Sequence, residues 1–310
     1  MFFRSRGLLQ IVLITLLVVG TTPLSANTPP SPSPFSGIDR LYSNVALYPV
    51  KSLSASSAIV VGLGGVGSWT VEALARSGVG TLTLIDLDDI CTSNINRQIH
   101  ATISTVGQFK ATALKARVAA INPDCKVTTI LDFITLDNLS EVLPLSLLSK
   151  CSVLVDCIDD ARVKSSIISA CRKANTPIIT VGASGNLKDP TRVVTTDITK
   201  AGDDRLLKWV RKHLRKTHGY PKGPGNGVKN HHDPRPWGVE AVFSEERFEE
   251  RGGVVSAGSG GLRRCDTGMG TACFATGTMG FVAASRAVDI IVGGERKRQT
   301  IKIEERATTL

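Results

Sequence analysis

Residues 57–76 read Ser-Ala-Ile-Val-Val-Gly-Leu-Gly-Gly-Val-Gly-Ser-Trp-Thr-Val-Glu-Ala-Leu-Ala-Arg, and this stretch decides the fold. Ala58–Val61 is an unbroken apolar run, the pattern of a strand covered on both faces. It ends in Gly62-Leu63-Gly64-Gly65-Val66-Gly67, and a helical stretch follows to Arg76. Glycines here permit a tight turn and let backbone amides approach a phosphate at the helix N-terminus. Thr81–Ile85 reads as the next strand, and Asp86 at its end can accept both hydroxyls of a ribose. Taken alone, such a constellation serves dinucleotides more often than ATP, so a nicotinamide or flavin oxidoreductase is the default reading of these residues.

Further out the alternation continues. Phe109, Ala113, Ala116 and Ala120, spaced 4, 3, 4, mark one face of a helix. Lys126–Asp132 and Ser152–Asp156 read as strands, Val163, Ile167, Ala170 and Ala174 as a helix face, and Pro177–Val181 as a strand. Gly268–Ile290 reads as a long, largely buried helix. Repeated β-α-β units predict an α/β fold: Rossmann-like, doubly wound, mainly parallel, with helices on both faces.

Composition sets the outer limits. With 310 residues, 42% apolar, the chain is long enough for one large α/β domain. No internal repeat is visible. The formal net charge is +10; residues 1–38 carry Arg4 and Arg6 and no acid, so the remainder holds 35 basic against 27 acidic residues, or +8. That balance favours polyanionic partners. None of the seven cysteines, Cys91, Cys125, Cys151, Cys157, Cys171, Cys265 and Cys273, forms a CxxC pair, so zinc-ribbon spacing is absent. Their scatter predicts buried thiols of a reducing compartment in preference to disulfides.

Three segments stand apart within or around the folded domain at 36–294. Residues 1–35 combine a basic start, an apolar run from Leu8 to Gly20 and the prolines Pro29, Pro30, Pro32 and Pro34. The run is short for a bilayer span of roughly 20 residues. It suits a signal-peptide core, with Leu24-Ser25-Ala26 as a cleavage site, or a marginal membrane anchor over residues 7–24. Residues 295–310 read as a charged, exposed tail. Between them, residues 205–237 read as a basic insertion: 205–235 hold nine Lys/Arg against Asp233 alone. Arg205, Lys208, Lys212 and Arg215 line one helix face, while Leu207, Val210 and Leu214 line another. The apolar face would dock on the domain and the basic face would meet nucleic-acid phosphates. Trp237 and His213, His218, His231 and His232 could add stacking contacts. A solvated face and a membrane-surface helix are the alternatives.

The residues after Asp86 change the reading of the nucleotide. Residues 86–98 run Asp-Leu-Asp-Asp-Ile-Cys-Thr-Ser-Asn-Ile-Asn-Arg-Gln, Gly107-Gln108-Phe109-Lys110 opens a helix, and Asp156-Cys157-Ile158-Asp159-Asp160 ends a later strand. From about Ile38 to Asp289 the chain resembles the adenylating enzymes of the ThiF/MoeB, ubiquitin-activating-enzyme-like superfamily. That resemblance makes 36–294 a ThiF-type adenylation domain and implies ATP and Mg²⁺. It places Gly62, Gly64, Gly65 and Gly67 at the phosphates, Asp86 at the ribose, and Asp88 and Asn94 among the nucleotide contacts. It makes Arg97 and Lys110 phosphate grips and Asp159 the Mg²⁺ holder. Arg40 resembles an arginine that members lend to ATP across a homodimer. Residue by residue, Arg97 could instead be a surface ion-pair residue and Asp159 a helix cap.

Several stretches resemble one branch in particular, the tRNA threonylcarbamoyladenosine dehydratases. They are Gly65–Arg76, Asn96–His100, Gly238–Glu245 and Cys265–Ala287. The branch implies adenylation of the threonyl carboxylate of a modified tRNA adenosine, then intramolecular closure with loss of AMP. No enzyme thiol is needed, so Cys157 and Cys265 are expected to be structural. Adenylating the C-terminus of a ubiquitin-like or sulfur-carrier protein is the alternative, although the carrier-activating members typically carry two zinc CxxC pairs. The branch's eukaryotic members are associated with mitochondria, and the acid-free N-terminus is compatible with that address, a cytoplasmic or other organellar site being the alternative.

Overall fold

The computed structural model describes residues 50–221, 236–247 and 270–308, with 50–51 and 295–308 as backbone only. Among them, seven strands form one sheet: β1 (Ser57–Val61), β2 (Thr81–Ile85), β3 (Lys126–Ile130), β4 (Val153–Asp156), β5 (Ile178–Val181), β6 (Val193–Asp197) and β7 (Glu240–Ser244). Their order is β3-β2-β1-β4-β5-β7-β6, parallel throughout except for β6, which runs antiparallel to β7. The helices are α1 (Val50–Ser54), α2 (Gly67–Arg76), α3 (Lys110–Ile121), α4 (Leu139–Val142), α5 (Leu145–Leu148), α6 (Ala161–Ala174), α7 (Arg205–Thr217) and α8 (Cys273–Thr308).

Alternation along each strand feeds two cores. Ala58 and Val60 of β1 point to one face, where α2, α3 and α8 cover them with Val71, Leu74, Leu114, Met279 and Ala283. Ile59 and Val61 point to the other, under α6 and α7 with Ile167, Ile168, Leu207, Val210 and Leu214. Burying each of the Val, Leu, Ile and Met side chains among them contributes about 1.5–3 kcal/mol. Helix α8 lies close against α2 because residue 280 is glycine: a Cβ there would stand 2.7 Å from the Val66 carbonyl oxygen. The stretch Cys273–Gly294 has the length and apolarity of a membrane span, but most of it is buried in this core.

Four expectations are corrected. Strand β7 and the edge strand β6 are additional to the predicted set. The predicted face of α3 packs only at Ala113: Ala116 and Ala120 are exposed and Phe109 is 40% exposed, while Ala111, Leu114 and Val118 are buried. Helix α8 extends beyond Ile290 to Thr308, through most of the segment read as a tail. Cys91 is disulfide-bonded, whereas Cys125, Cys151, Cys157, Cys171 and Cys273 are free thiols. Linear spacing does not reveal which cysteines the fold brings face to face. The N-terminal segment 1–35, with its candidate anchor at 7–24, also lies outside the described residues.

Candidate nucleotide and phosphate site

The chain leaves β1 toward β2 on one side and, after β3, returns past β1 to β4 on the other. The crevice at the carboxyl ends of β1 and β4 is where such sheets take their ligands. One wall is the turn from Gly62 to Gly67. Gly62 adopts φ +80°, and a Cβ on Gly67 would stand 1.8 Å from the Gly62 carbonyl oxygen, so both positions require glycine. The amides of Gly64, Gly65 and Val66 donate to no described atom. Unpaired amides at the start of α2, with the positive end of its dipole behind them, form an anion cradle.

Asp86, at the end of β2, is buried, and its two carboxylate oxygens accept the amides of Leu63 (2.7 Å) and Asp88 (2.8 Å). Burial raises its pKa, against the opposing pull of Lys110 and of those two amides. Lys110 reaches the same corner because residues 88–90 pair with 107–110: the Lys110 amide donates to the Asp88 carbonyl at 3.0 Å. Its ammonium meets the Asp88 carboxylate at 2.6 Å. Asp88 and Lys110 thus form a pair that a phosphate can open.

Arg97 rises on the loop after the short 3-10 turn Thr92–Asn94. Asn94 is buried and caps that turn, its Oδ1 accepting the Cys91 amide at 3.0 Å. The Arg97 side chain lies along the glycine turn, its Cδ 3.6 Å from where a Cβ of Gly65 would be, and it donates to the Ser93 carbonyl at 2.7 Å. Two elements fix its backbone: Trp69 Nε1 of α2 and Thr276 Oγ1 of α8 donate to its carbonyl at 3.0 and 3.3 Å.

Asp159 follows β4 on the opposite wall, where Ile158 stands against Gly62. It is exposed and makes no hydrogen bond or ion pair with any described residue. The cap of α6 is its neighbour: Asp160 Oδ1 accepts the amides of Arg162 (2.7 Å) and Val163 (3.0 Å). Among the described residues no three His, Cys, Asp or Glu side chains converge. A lone exposed carboxylate beside a phosphate cradle fits Mg²⁺, which is commonly held by one or two carboxylates, substrate phosphates and water.

Some supporting residues were not assigned from sequence. Lys164 of α6 is fully buried, 3.0 Å from Asp156 Oδ2, and its ammonium also donates to the carbonyls of Asp156 (3.1 Å) and Ile158 (2.9 Å). Thr180 Oγ1 donates to the same Asp156 oxygen at 3.0 Å. The bridge holds the backbone that leads into Asp159, and a lysine in a helix gives no linear signal of it. Gln98 is buried with its Oε1 unpartnered, and its Nε2 is 3.8 Å from where a Cβ of Gly64 would be. Arg40, Cys265, Lys222, Lys229, Arg235, His231 and His232 lie outside the described residues.

His100, at the end of the same loop, is buried with neither ring nitrogen partnered. Burial, with Lys110 and Arg117 nearby, pushes its pKa down to about 3. A depressed folded pKa means the neutral ring is the native form. Its stability contribution is complete above about pH 6.5, the unfolded value, and is lost as pH falls toward the folded value. Melting curves should show an acid limb steepened by up to about 1.4 kcal/mol per pH unit, which His100→Leu flattens. Equal pH slopes for the two proteins would exclude His100 as the cause.

On the sheet's second face, α7 buries Leu207, Val210 and Leu214 and exposes Arg205, Lys208, Lys212 and Arg215, as its sequence predicts.

Fold and site together define an α/β protein with an anion cradle, a buried acid at the end of β2, two cationic groups and one free carboxylate around a single crevice. The model of the ThiF family matches residues 39–306, and the chain belongs to that family. It is 39% identical over 255 residues to the tRNA threonylcarbamoyladenosine dehydratase of Haemophilus influenzae, covering 82% of this chain and 92% of that one. To the enzyme of the same name from Escherichia coli it is 40% identical over 262 residues, covering 82% and 91%. A crystal structure of the E. coli enzyme in complex with ATP superposes with a TM-score of 0.69 at 37% identity, covering 85% of this chain and 95% of that one.

Proposed function

We propose that this chain is an ATP-dependent tRNA threonylcarbamoyladenosine dehydratase, which adenylates the threonyl carboxylate of the modified adenosine and lets it cyclise. The observation that carries this reading is the near-full-length likeness to the bacterial dehydratases, joined to the crevice between β1 and β4. Asp86 has lone pairs left for the ribose hydroxyls after its two amide bonds. The amides of Gly64, Gly65 and Val66 take phosphate oxygens, and Lys110 turns from Asp88 to the incoming polyphosphate as Arg97 closes over it. Asp159 would hold Mg²⁺, which neutralises charge on the departing pyrophosphate.

A substrate carboxylate oxygen then bonds to the α-phosphorus as the bond to pyrophosphate breaks, and pyrophosphate leaves with the electron pair. Next, a nucleophilic atom of the same modified side chain attacks the activated acyl carbon. AMP leaves with the carboxylate oxygen, so the net change is loss of water. Closure is intramolecular, and proximity supplies most of the acceleration. Cys157, beside the glycine turn, does not suit a covalent role: burial pushes its thiol up to about 12, and a thiol held protonated is a poor nucleophile.

The test is incubation with ATP, Mg²⁺ and tRNA carrying threonylcarbamoyladenosine, followed by nucleoside mass analysis. A product lighter by one water, with AMP and pyrophosphate released in step, is expected. AMP formation that depends on a carrier protein and ignores tRNA would refute the reading in favour of carrier activation.

The exposed basic face of α7 is the phosphate contact for tRNA. Reversing Lys208, Lys212 and Arg215 to glutamate should lower tRNA affinity and flatten its salt dependence by about 2–3 log units per decade, at roughly 0.7–0.9 per lost contact. ATP affinity should stay at the wild-type value, because the crevice residues named above belong to other elements. Unchanged tRNA affinity in the triple variant would reduce α7 to a solvated face. A homodimer in which Arg40 of one copy meets the ATP of the other, and a mitochondrial address carried by residues 1–26, complete the proposal; sedimentation and localisation of the full chain test them.

A further inference from the structure

We infer that Trp209 is a stacking platform for an unpaired nucleobase of the RNA substrate; this deepens the tRNA reading and rests on it. Trp209 is 48% exposed on α7. The other two tryptophans are engaged: Trp69 donates to the Arg97 carbonyl and packs on Phe281, and Trp237 packs on Tyr220 at 4.9 Å beneath Arg215. The Trp209 indole N–H donates to no described atom, and its ring neighbours come from its own helix. They are Lys212, whose ammonium lies 4.3 Å from the ring centroid, and His213, tilted at 6.5 Å.

A large aromatic left in water amid cations is a site in want of a flat, electron-rich partner held by phosphates. Within α7 no acidic residue offsets Arg205, Lys208, Arg211, Lys212, Arg215 and Lys216. Nucleobases stack on such rings whatever their identity, while adjacent cations meet the backbone. Position agrees with this. Asp204 caps α7, accepting the Leu207 amide at 2.8 Å, and its other oxygen accepts the Ala183 amide just past β5 at 2.8 Å. Strand β5 is the neighbour of β4, so α7 starts at the sheet edge that carries Asp159. Trp209 is the fifth residue of that helix, about 6 Å along its axis from the start. An enzyme that reacts at a substituent on a base works on an unpaired nucleotide, whose neighbours in the strand are then free to splay onto an aromatic side chain. A membrane surface does not fit, because the apolar face it would need is buried under the sheet as Leu207, Val210 and Leu214.

The full-length protein is titrated with tRNA carrying threonylcarbamoyladenosine, and in parallel with a fully paired RNA duplex, following tryptophan emission. Wild type should be quenched by the tRNA, and Trp209→Phe should lose that quench while keeping most of the affinity. Trp209→Ala should weaken tRNA binding about 5- to 150-fold with an unchanged salt slope and melting temperature, and leave duplex binding unaffected. Wild-type affinity in Trp209→Ala overturns the platform and leaves the phosphate-contact reading standing. Equal weakening toward duplex overturns it too, as does loss of self-association in Trp209→Ala, which would make the ring a contact between copies. Failure of the wild-type protein to bind tRNA at all would instead take down the functional reading, and the platform with it.

Discussion

Asp159→Ala should abolish tRNA-dependent pyrophosphate release while the protein melts at the wild-type temperature, and Asp160→Ala should do the opposite. The two carboxylates are adjacent, and only geometry separates their roles. Asp159 is exposed and unpartnered, so its removal breaks no described interaction. If it holds Mg²⁺ against the polyphosphate, losing it removes several kcal/mol of charge stabilisation, or about three orders of magnitude in rate. Asp160 satisfies two amides in the first turn of α6. Losing that cap costs about 1 kcal/mol, which lowers the melting temperature by about 1.5–2 °C in a chain of this size. Mg²⁺ titration of the alanine variants reads the same distinction: Asp160→Ala keeps its response and Asp159→Ala loses it. An Asp159→Ala enzyme with more than a tenth of wild-type pyrophosphate release would remove this residue from the metal site.

How far the sequence carried depends on whether a signal was local. The central strands were legible because each is a short apolar run closed by turn residues, and Thr81–Ile85 was bounded to the residue. The glycine turn, Asp86, Arg97, Lys110 and Asp159 were read as a set through the family resemblance, and they stand after β1, β2 and β4 and on the loops beside them. Helix α7 was legible in detail because Leu207, Val210 and Leu214 stand at helical spacing among cations. Helix α3 was misread for the converse reason. Alanine suits either environment, and a spacing built from Ala113, Ala116 and Ala120 competes with one built from Ala111, Leu114 and Val118. Packing on α2 decides between them; there Glu72 binds Arg117 through both its oxygens, at 2.6 and 3.0 Å. The edge strand β6 escaped because Val193–Asp197 is half-buried along its length, so neither a continuous nor an alternating apolar pattern develops.

Lys164 lies at the far end of that scale: nothing in the sequence marks it, and its removal should have the largest effect on stability of any single change proposed for this chain. Its ammonium and the Asp156 carboxylate are both fully buried, 3.0 Å apart. All three ammonium protons have acceptors: Asp156 Oδ2 and the carbonyls of Asp156 and Ile158. Lys164→Met keeps the volume but leaves a buried carboxylate with only Thr180 and the Ile158 amide, at 3.0 and 3.3 Å, to satisfy it. Breaking one side of such a pair costs about 3–5 kcal/mol, or about 5–8 °C in melting temperature at this chain length. Adding Asp156→Asn removes the stranded charge, so the double variant should regain much of that loss; two contacting residues are expected to be non-additive in this way. Catalysis should not recover with it. The two carbonyls that Lys164 ties down belong to the residues leading into Asp159, and a shift of about 1 Å at a reacting group can cost about 100-fold in rate. The double variant should therefore be stable and slow, with kcat depressed and tRNA affinity at the wild-type value. If stability and kcat return together, Lys164 only holds up the core, and the placement of Asp159 owes nothing to it.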